Sequence, residues 1–134
     1  MAQPMNVFDI AGRAMSAQLA RLNATASNLA NAGSVASSRE TAFRALRPVF
    51  RTVEDSPGVA TVQVDRIVRT DAAPVRRHDP DNPLADANGD VWEAAVDSSA
   101  ELIDMVEAAR QYQNNVQVLQ TAKTLTLDTL RLGK

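Results

Sequence analysis

Apolar residues recur at steps of three or four through the first thirty positions of the chain, which is the spacing of one face of an α-helix. These residues are Phe8, Ala11, Met15, Leu19, Leu22, Ala26 and Leu29. A helix from Met5 to Asn31 would be roughly 40 Å long, and Gly33 can supply the left-handed residue that often ends a helix. The pattern therefore predicts a long amphipathic helix at the N-terminus.

A second and longer pattern of the same kind runs from about Ser98 to Leu132. Its clearest part steps by three or four residues through Leu102, Met105, Ala109, Tyr112, Val116 and Leu119. Ser98 or Ser99 can cap the start of this helix, and Gly133 follows its end. An unbroken heptad-like seam of this length is typical of helices that pack against other helices.

The segment between the helices has the composition and the turn residues of β-structure. Phe43 to Val53 and Val59 to Thr70 are predicted strands, joined by a turn in which Pro57 and Gly58 suit the central positions of type II. Because Pro48 has no backbone N–H to donate, we expect it at a sheet edge or a bulge.

From Ala72 to Asp90 the chain is rich in Pro, Asp and Asn, which favours an extended segment with turns. We expect a short strand after it, at Val91 and Trp92. The side chains suited to calcium here are those of Asp86, Asn88, Asp90 and Asp97. They match positions 1, 3, 5 and 12 of an EF-hand loop, but the glycine falls at position 4 instead of 6. Turn formation explains the same residues, so we expect no metal site.

Composition argues against several classes of function. The chain has 134 residues and is 45% hydrophobic but only 4% aromatic, so one copy alone would have few large side chains for a core. A net charge of −2 disfavours nucleic acid or an anionic membrane as a partner. No apolar stretch approaches the ~20 residues that insertion into a bilayer requires. With one histidine, His78, no cysteine and no catalytic motif, we expect neither an enzyme nor a bound cofactor.

The distribution of charge separates the two ends from the middle. Of 30 charged residues, 23 lie between Arg39 and Arg110. Only Arg21 is charged from position 14 to 38, and only Lys123 from position 111 to 127. Both helices carry Asn, Gln, Ser and Thr on their polar faces, and such side chains are buried at lower cost than charges. These faces therefore favour contact with other protein, although a two-helix hairpin could also lack charge by chance.

Four segments of the chain carry a family resemblance, and the clearest is the sequence Ser-Asn-Leu-Ala-Asn-Ala at positions 27–32. This sequence resembles a signature of the bacterial flagellar axial proteins, the family of rod, hook and hook-associated subunits. Segments 6–12, 79–89 and 112–119 are similar to the proximal rod members of that family. The resemblance covers both ends and the central loop of the chain.

The resemblance implies an α+β fold in which long N- and C-terminal helices pair like a coiled coil around a small β-rich middle domain. The implied divisions are residues 1–33, 34–97 and 98–134. The implied function is a structural subunit of the proximal rod that assembles helically and transmits motor torque. Implied partners are other copies of the chain, other rod proteins and the flagellar export apparatus. The implied location is the periplasmic part of the basal body, reached without a cleaved signal peptide.

In such an assembly the seam of the first helix (Phe8, Met15, Leu22, Leu29) is expected to meet that of the last (Leu102, Ala109, Val116, Leu119). Asn28, Asn31, Asn114, Asn115 and Gln117 are expected to bond to neighbouring subunits or to fix register. The predicted subunit interface comprises Phe8, Met15, Leu22, Asn28, Leu29, Asn31, Leu102, Ala109, Tyr112, Asn115, Val116 and Leu119. The alternative function is that of a soluble helical adaptor or secreted binding module.

A charge placed in the C-terminal seam tests whether that seam is buried in the rod. We expect Leu119→Asp to block incorporation into the rod, because an unpaired carboxylate is costly to bury, while the middle segment stays folded. Motility and the rod content of isolated basal bodies measure the effect. Normal motility of the variant would show that the seam is not buried.

Overall fold

A computed structural model describes residues 5–133, in which the N-terminal helix α1 spans Val7–Ala30. A capping box fixes its start: the amide of Asp9 donates to Oδ1 of Asn6 at 3.0 Å, and the amide of Asn6 donates to Oδ2 of Asp9 at 3.1 Å. Each side-chain oxygen satisfies a backbone N–H that the helix itself cannot. The predicted helix is confirmed, beginning two residues later than expected.

The second helix, α2, spans Ser98–Leu132. Its N-terminal cap is Asp97, whose Oδ1 accepts from the amides of Ser99 and Ala100. The expected cap, Ser98 or Ser99, is therefore wrong by one or two residues. The end of α1 lies beside the start of α2, so the two helices run antiparallel. Since α2 has 35 residues and α1 has 24, α2 extends beyond the start of α1. The overhang, residues 123–133, is exposed throughout.

Five strands form two separate antiparallel sheets between the helices. They are β1 (Val35–Ala36), β2 (Leu46–Ser56), β3 (Val59–Arg69), β4 (Val75–His78) and β5 (Asp90–Glu93). Strands β2 and β3 form a long hairpin that packs on α1, whereas β1, β5 and β4 form a small sheet in that order. Within residues 5–133 no strand of the small sheet packs against either helix. The α+β class predicted from sequence is confirmed.

The hairpin has the turn and the irregularity that its sequence predicts. Gly58 has φ of 78°, as the third residue of a type II turn requires, and Ser56 pairs with Val59 across it. Pro48 lies next to a register shift between Val49 and Phe50, in a strand with a single partner. The sequence pattern does not predict strands β1 and β4, because short segments of small or charged residues carry no period-two apolar signal.

Small side chains make up the interior of the chain. Of the residues described, the buried apolar ones are Ala11, Ala17, Ala24, Ala42, Ala45, Pro74, Val91, Ala94 and Ala108. The distance between two packed helices depends on the side chains at their contact, and alanine permits a close approach. The buried line of α1 therefore consists mainly of alanine.

The expected contact between the two large-residue seams is wrong in detail. On α2 the buried residues are Glu101 and Ala108, one position before the predicted Leu102 and Ala109, and Leu102 is 53% exposed. On α1 the predicted Phe8 is 40% exposed. Close contact between alanine-lined faces turns the larger residues of the pattern toward the sides of the helix pair.

The turn before β5 requires a glycine for two reasons. Gly89 has φ of 77°, and a Cβ there would lie 3.0 Å from Cβ of Pro80 and 3.1 Å from Cε1 of His78. We expect Gly89→Ala to destabilise the small sheet by about 2 kcal/mol, through backbone strain and this overlap. Amide exchange of β4 and β5 in the purified chain measures it.

Gly58→Ala is the matched control, since Gly58 has nearly the same φ, but a Cβ added there would have nothing within 4 Å. It should cost only the strain, about 1 kcal/mol, and only in the hairpin. Equal effects of the two substitutions would contradict the steric part of the explanation.

Candidate assembly surface and the polar node beneath it

Asn28, near the end of α1, is fully buried and bonds to two other elements. Its Oδ1 accepts from the amide of Leu46 at 2.7 Å, and its Nδ2 donates to the carbonyl of Leu46 at 3.0 Å. The same Nδ2 donates to Oε2 of Glu101 at 3.1 Å. A side-chain amide that bonds both the N–H and the C=O of one residue makes the same hydrogen bonds as a neighbouring strand would. Asn28 therefore joins the end of α1 to the starts of β2 and α2.

Glu101 lies in the first turn of α2 and is 1% exposed. Its Oε1 accepts from Nη2 of Arg47, which follows Leu46 in β2. This hydrogen bond raises the pKa of Arg47 above its ordinary value, against the opposing effect of partial burial, so the guanidinium stays charged. A buried carboxylate is tolerated only when it is paired and hydrogen-bonded, and here both conditions hold. We call Asn28, Leu46, Arg47 and Glu101 the Asn28 node.

A second polar contact joins the other end of the hairpin to α1. Nη1 of Arg13 donates to Oδ2 of Asp55 and, at 2.9 Å, to Oγ1 of Thr61. Thr61 is buried, whereas Arg13 and Asp55 are each about one-third exposed. We call this set the tip contact, since Asp55 and Thr61 flank the turn of the hairpin.

The outer faces of the helices expose large apolar residues. On α2, Leu102, Ile103 and Val106 form an outer patch near the start, and Ile103 is 69% exposed. The overhang adds the exposed leucines Leu125, Leu127, Leu130 and Leu132. On α1 an exposed stripe steps by three or four residues through Ser16, Leu19, Asn23, Ala26 and Ala30. The exposed apolar residues of α2 are of the kind that marks contact with another protein.

A shallow groove of about 670 Å³ lies where the start of α1 meets α2. Its lining is apolar or uncharged: Val7, Asn114, Gln117, Val118, Thr121, Ala122, Leu125 and Thr126. Farther along, the hydroxyls of Thr124, Thr126 and Thr129 donate to carbonyls four residues earlier in α2. These bonds satisfy the hydroxyls within the helix, so the threonines of this end need no hydrogen-bond partner in another subunit.

The predicted interface residues fall into three groups. Phe8 and Leu102 are exposed, and Asn28 is buried inside the chain. The half-buried ones are Met15, Leu22, Leu29, Asn31, Ala109, Tyr112, Asn115, Val116 and Leu119.

Of the two roles expected for Asn28, its bonds to Leu46 and Glu101 of its own chain favour fixing register over bonding to a neighbouring subunit. Asn31 and Asn115 each donate to a carbonyl of their own helix, at 2.8 Å. For the residues other than Asn28, a role in subunit contact stays a prediction.

Sequence reasoning misses the charged members of the two polar contacts. It makes no prediction for Arg13, Arg47 or Glu101, since an apolar pattern gives no weight to charged side chains. The signal that could have found Glu101 is the register of α2: this residue precedes Ala108 by one heptad, and both are buried.

Residues 5–133 contain no helix long and apolar enough to cross a membrane. They also contain no group of three or more His, Cys, Asp or Glu side chains placed to hold a metal ion.

Both ends of the chain match models of flagellar rod proteins. Residues 8–33 match the family described as "Flagella basal body rod protein", and residues 87–132 match "Flagellar basal body rod FlgEFG protein C-terminal". The class is therefore that of structural rod proteins, not of enzymes.

Relatives that align over nearly their full length identify one family within this class. The flagellar basal-body rod protein FlgC of Salmonella typhimurium strain LT2 is 46% identical over 132 residues, covering 97% of this chain and 98% of the relative. The FlgC proteins of Yersinia enterocolitica and Aquifex aeolicus strain VF5 are 48% and 36% identical, over 133 and 130 residues. These alignments cover 97% and 96% of this chain, and 98% and 96% of the relatives.

The chain belongs to the FlgC family of flagellar basal-body rod proteins and is a structural rod subunit. This membership favours the rod over the alternative of a soluble adaptor.

Breaking the Asn28 node should loosen the junction of hairpin and helices. Arg47→Met leaves the buried Glu101 carboxylate without its cation, a change that costs roughly 3–5 kcal/mol in a fully buried pair. Because the Arg47 side chain is 40% exposed, we expect about 2 kcal/mol. Amides around Leu46 should then exchange roughly 30-fold faster in isolated basal bodies.

Arg44→Met is the matched control, since Arg44 has no ion pair within residues 5–133. Adding Glu101→Gln to Arg47→Met should recover part of the loss, because the unpaired charge is gone. Equal effects of Arg44→Met and Arg47→Met would show that the ion pair does not hold the junction.

Proposed function

We propose that this chain assembles helically with copies of itself and with other rod proteins in the proximal rod, and that the assembly transmits motor torque. The observation that carries the proposal is that the helix pair buries small side chains and exposes large apolar ones. Alanines fill the interior, while Leu102, Ile103, Val106 and the leucines of the overhang lie at the surface. Burial of those residues requires other subunits.

The energetics support this interpretation of the helix faces. Fully burying a leucine, isoleucine or valine side chain contributes about 1.5–3 kcal/mol, whereas the buried alanines contribute much less. A large share of the apolar stabilisation that the helices can provide is therefore realised only in an assembly. The exposed stripe of α1 and the groove beside Val118 carry no charge that contact would desolvate.

The two helices present different surfaces, which bears on the geometry of assembly. The α1 stripe is built mainly from small residues, whereas the α2 surfaces carry Leu, Ile and Val. Contact between two unlike surfaces is heterologous, and repeated heterologous contacts whose rotation does not close produce a helical tube. A tube in which each subunit touches several neighbours is stiff, as a torque-bearing shaft must be.

The finer assignments of location and domain division belong to the same proposal. They are a periplasmic position, passage through the flagellar export apparatus, and domains at residues 1–33, 34–97 and 98–134. The support is family membership. The predicted interface residues other than Asn28 remain part of the proposal.

Hydrogen exchange in two states of the protein tests the proposal. In a verified monomer the amides of residues 111–127 should exchange rapidly, because the outer faces of α2 have no partner. In isolated basal bodies the same amides should be protected. Strongly protected α2 amides in the monomer would contradict assembly-dependent order.

The exchange measurement has an internal control, and a second experiment tests assembly directly. The amides of β5, which holds the fully buried Val91, should be protected in both states, because the small sheet does not pack on the helices. Size-exclusion chromatography and electron microscopy, with and without other rod proteins, test assembly itself. A chain that stays a discrete small species with those partners present would contradict the proposal.

A further inference from the structure

The β2–β3 hairpin is attached to α1 by polar groups at both of its ends. The tip contact uses Arg13, and the Asn28 node holds the base through Leu46. From Arg13 to Asn28, α1 rises about 22 Å. The two attachments therefore lie far apart on one rigid element.

The hairpin needs such attachments to keep a fixed orientation. A two-stranded hairpin is marginally stable by itself, and among residues 5–133 neither β2 nor β3 pairs with a third strand. Both strands pack on α1, where the nearby buried apolar side chains are alanines. Close packing of small side chains permits sliding more readily than interlocked large ones, so directional polar contacts set the angle.

We propose that Arg13 and Asn28 are positioning residues that hold the hairpin as a rigid arm, fixed to the helix pair at two points. One attachment would leave the arm free to pivot, whereas two attachments about 22 Å apart remove that freedom. The inference rests on the proposed load-bearing role: force on the arm passes into α1 at both ends, and into α2 through Glu101.

The small sheet lacks an equivalent attachment, which makes it an internal comparison. Among the described residues, no hydrogen bond or ion pair joins β1, β4 or β5 to either helix, and the bond from the amide of Ala94 to the carbonyl of Ser34 at 3.0 Å only extends the β1–β5 ladder. Its edge strand β4 is exposed at all four positions. The arm and the small sheet therefore differ in how they are held, although both belong to the middle segment.

The tip contact provides the sharper test, because its members can be replaced by side chains of the same shape. The double variant Asp55→Asn and Thr61→Val removes the charge and the buried hydroxyl acceptor. In isolated basal bodies it should speed exchange of the amides at 54–61 about fivefold to tenfold. Amides around Leu46, held by the Asn28 node, should keep their wild-type rates.

Arg51→Gln is the matched control, because it removes an ion pair to Asp65 that lies wholly within the hairpin. Thr61→Ser, which keeps the hydroxyl, should behave as the wild type. Tip amides that exchange equally fast in the double variant, in Arg51→Gln and in the wild type would overturn the inference.

Failure of the proposed rod function would give a different experimental result. A chain absent from isolated basal bodies would contradict the proposed function, and the same variants would then be compared in the purified chain. There, a wild-type tip that exchanges as fast as the double variant would overturn the two-point attachment as well.

Discussion

The hydrogen bonds of Asn28 hold the architecture together, because they are where both helices and the hairpin meet. Its amide occupies both backbone groups of Leu46 and also reaches Glu101, which Arg47 neutralises. The side chains of Asn28 and Glu101 cannot turn to water, since both are almost completely buried. A buried polar group without partners is costly, so the node admits one arrangement of α1, α2 and β2.

This constraint explains how a chain with so few large buried side chains keeps a defined shape. Interlocking leucines and phenylalanines usually fix the angles between elements, but here the interior is mainly alanine. Polar contacts at fixed positions set those angles instead. They are the Asn28 node at one end of α1, the tip contact near the other, and the pair of Arg21 and Asp104 between the helices at 3.0 Å. Large apolar residues are then left for surfaces that face outward.

The same division of roles suits a rod subunit. Directional polar bonds inside the protomer preserve its geometry, and apolar outer faces supply the energy of contact with neighbours. Charges would oppose that contact, and only one charged residue lies between positions 111 and 127 of α2. The middle segment keeps most of the charge and follows a different plan, with one sheet fixed on α1 and the other linked through loops.

Both helices, the hairpin with its Pro57–Gly58 turn, and the scarcity of charge at both ends are predictable from the amino-acid sequence alone. These features depend on local periodicity, capping and turn chemistry, which are legible in one chain. Which side of each helix faces inward emerges only from the folded chain. Glu101 and not Leu102 is buried, and Asn28 bonds within its own chain. The physical reason is that alanine-lined faces approach closely, and that a buried carboxylate can be satisfied by partners distant in sequence. Neither effect can be detected in the spacing of apolar residues along the chain.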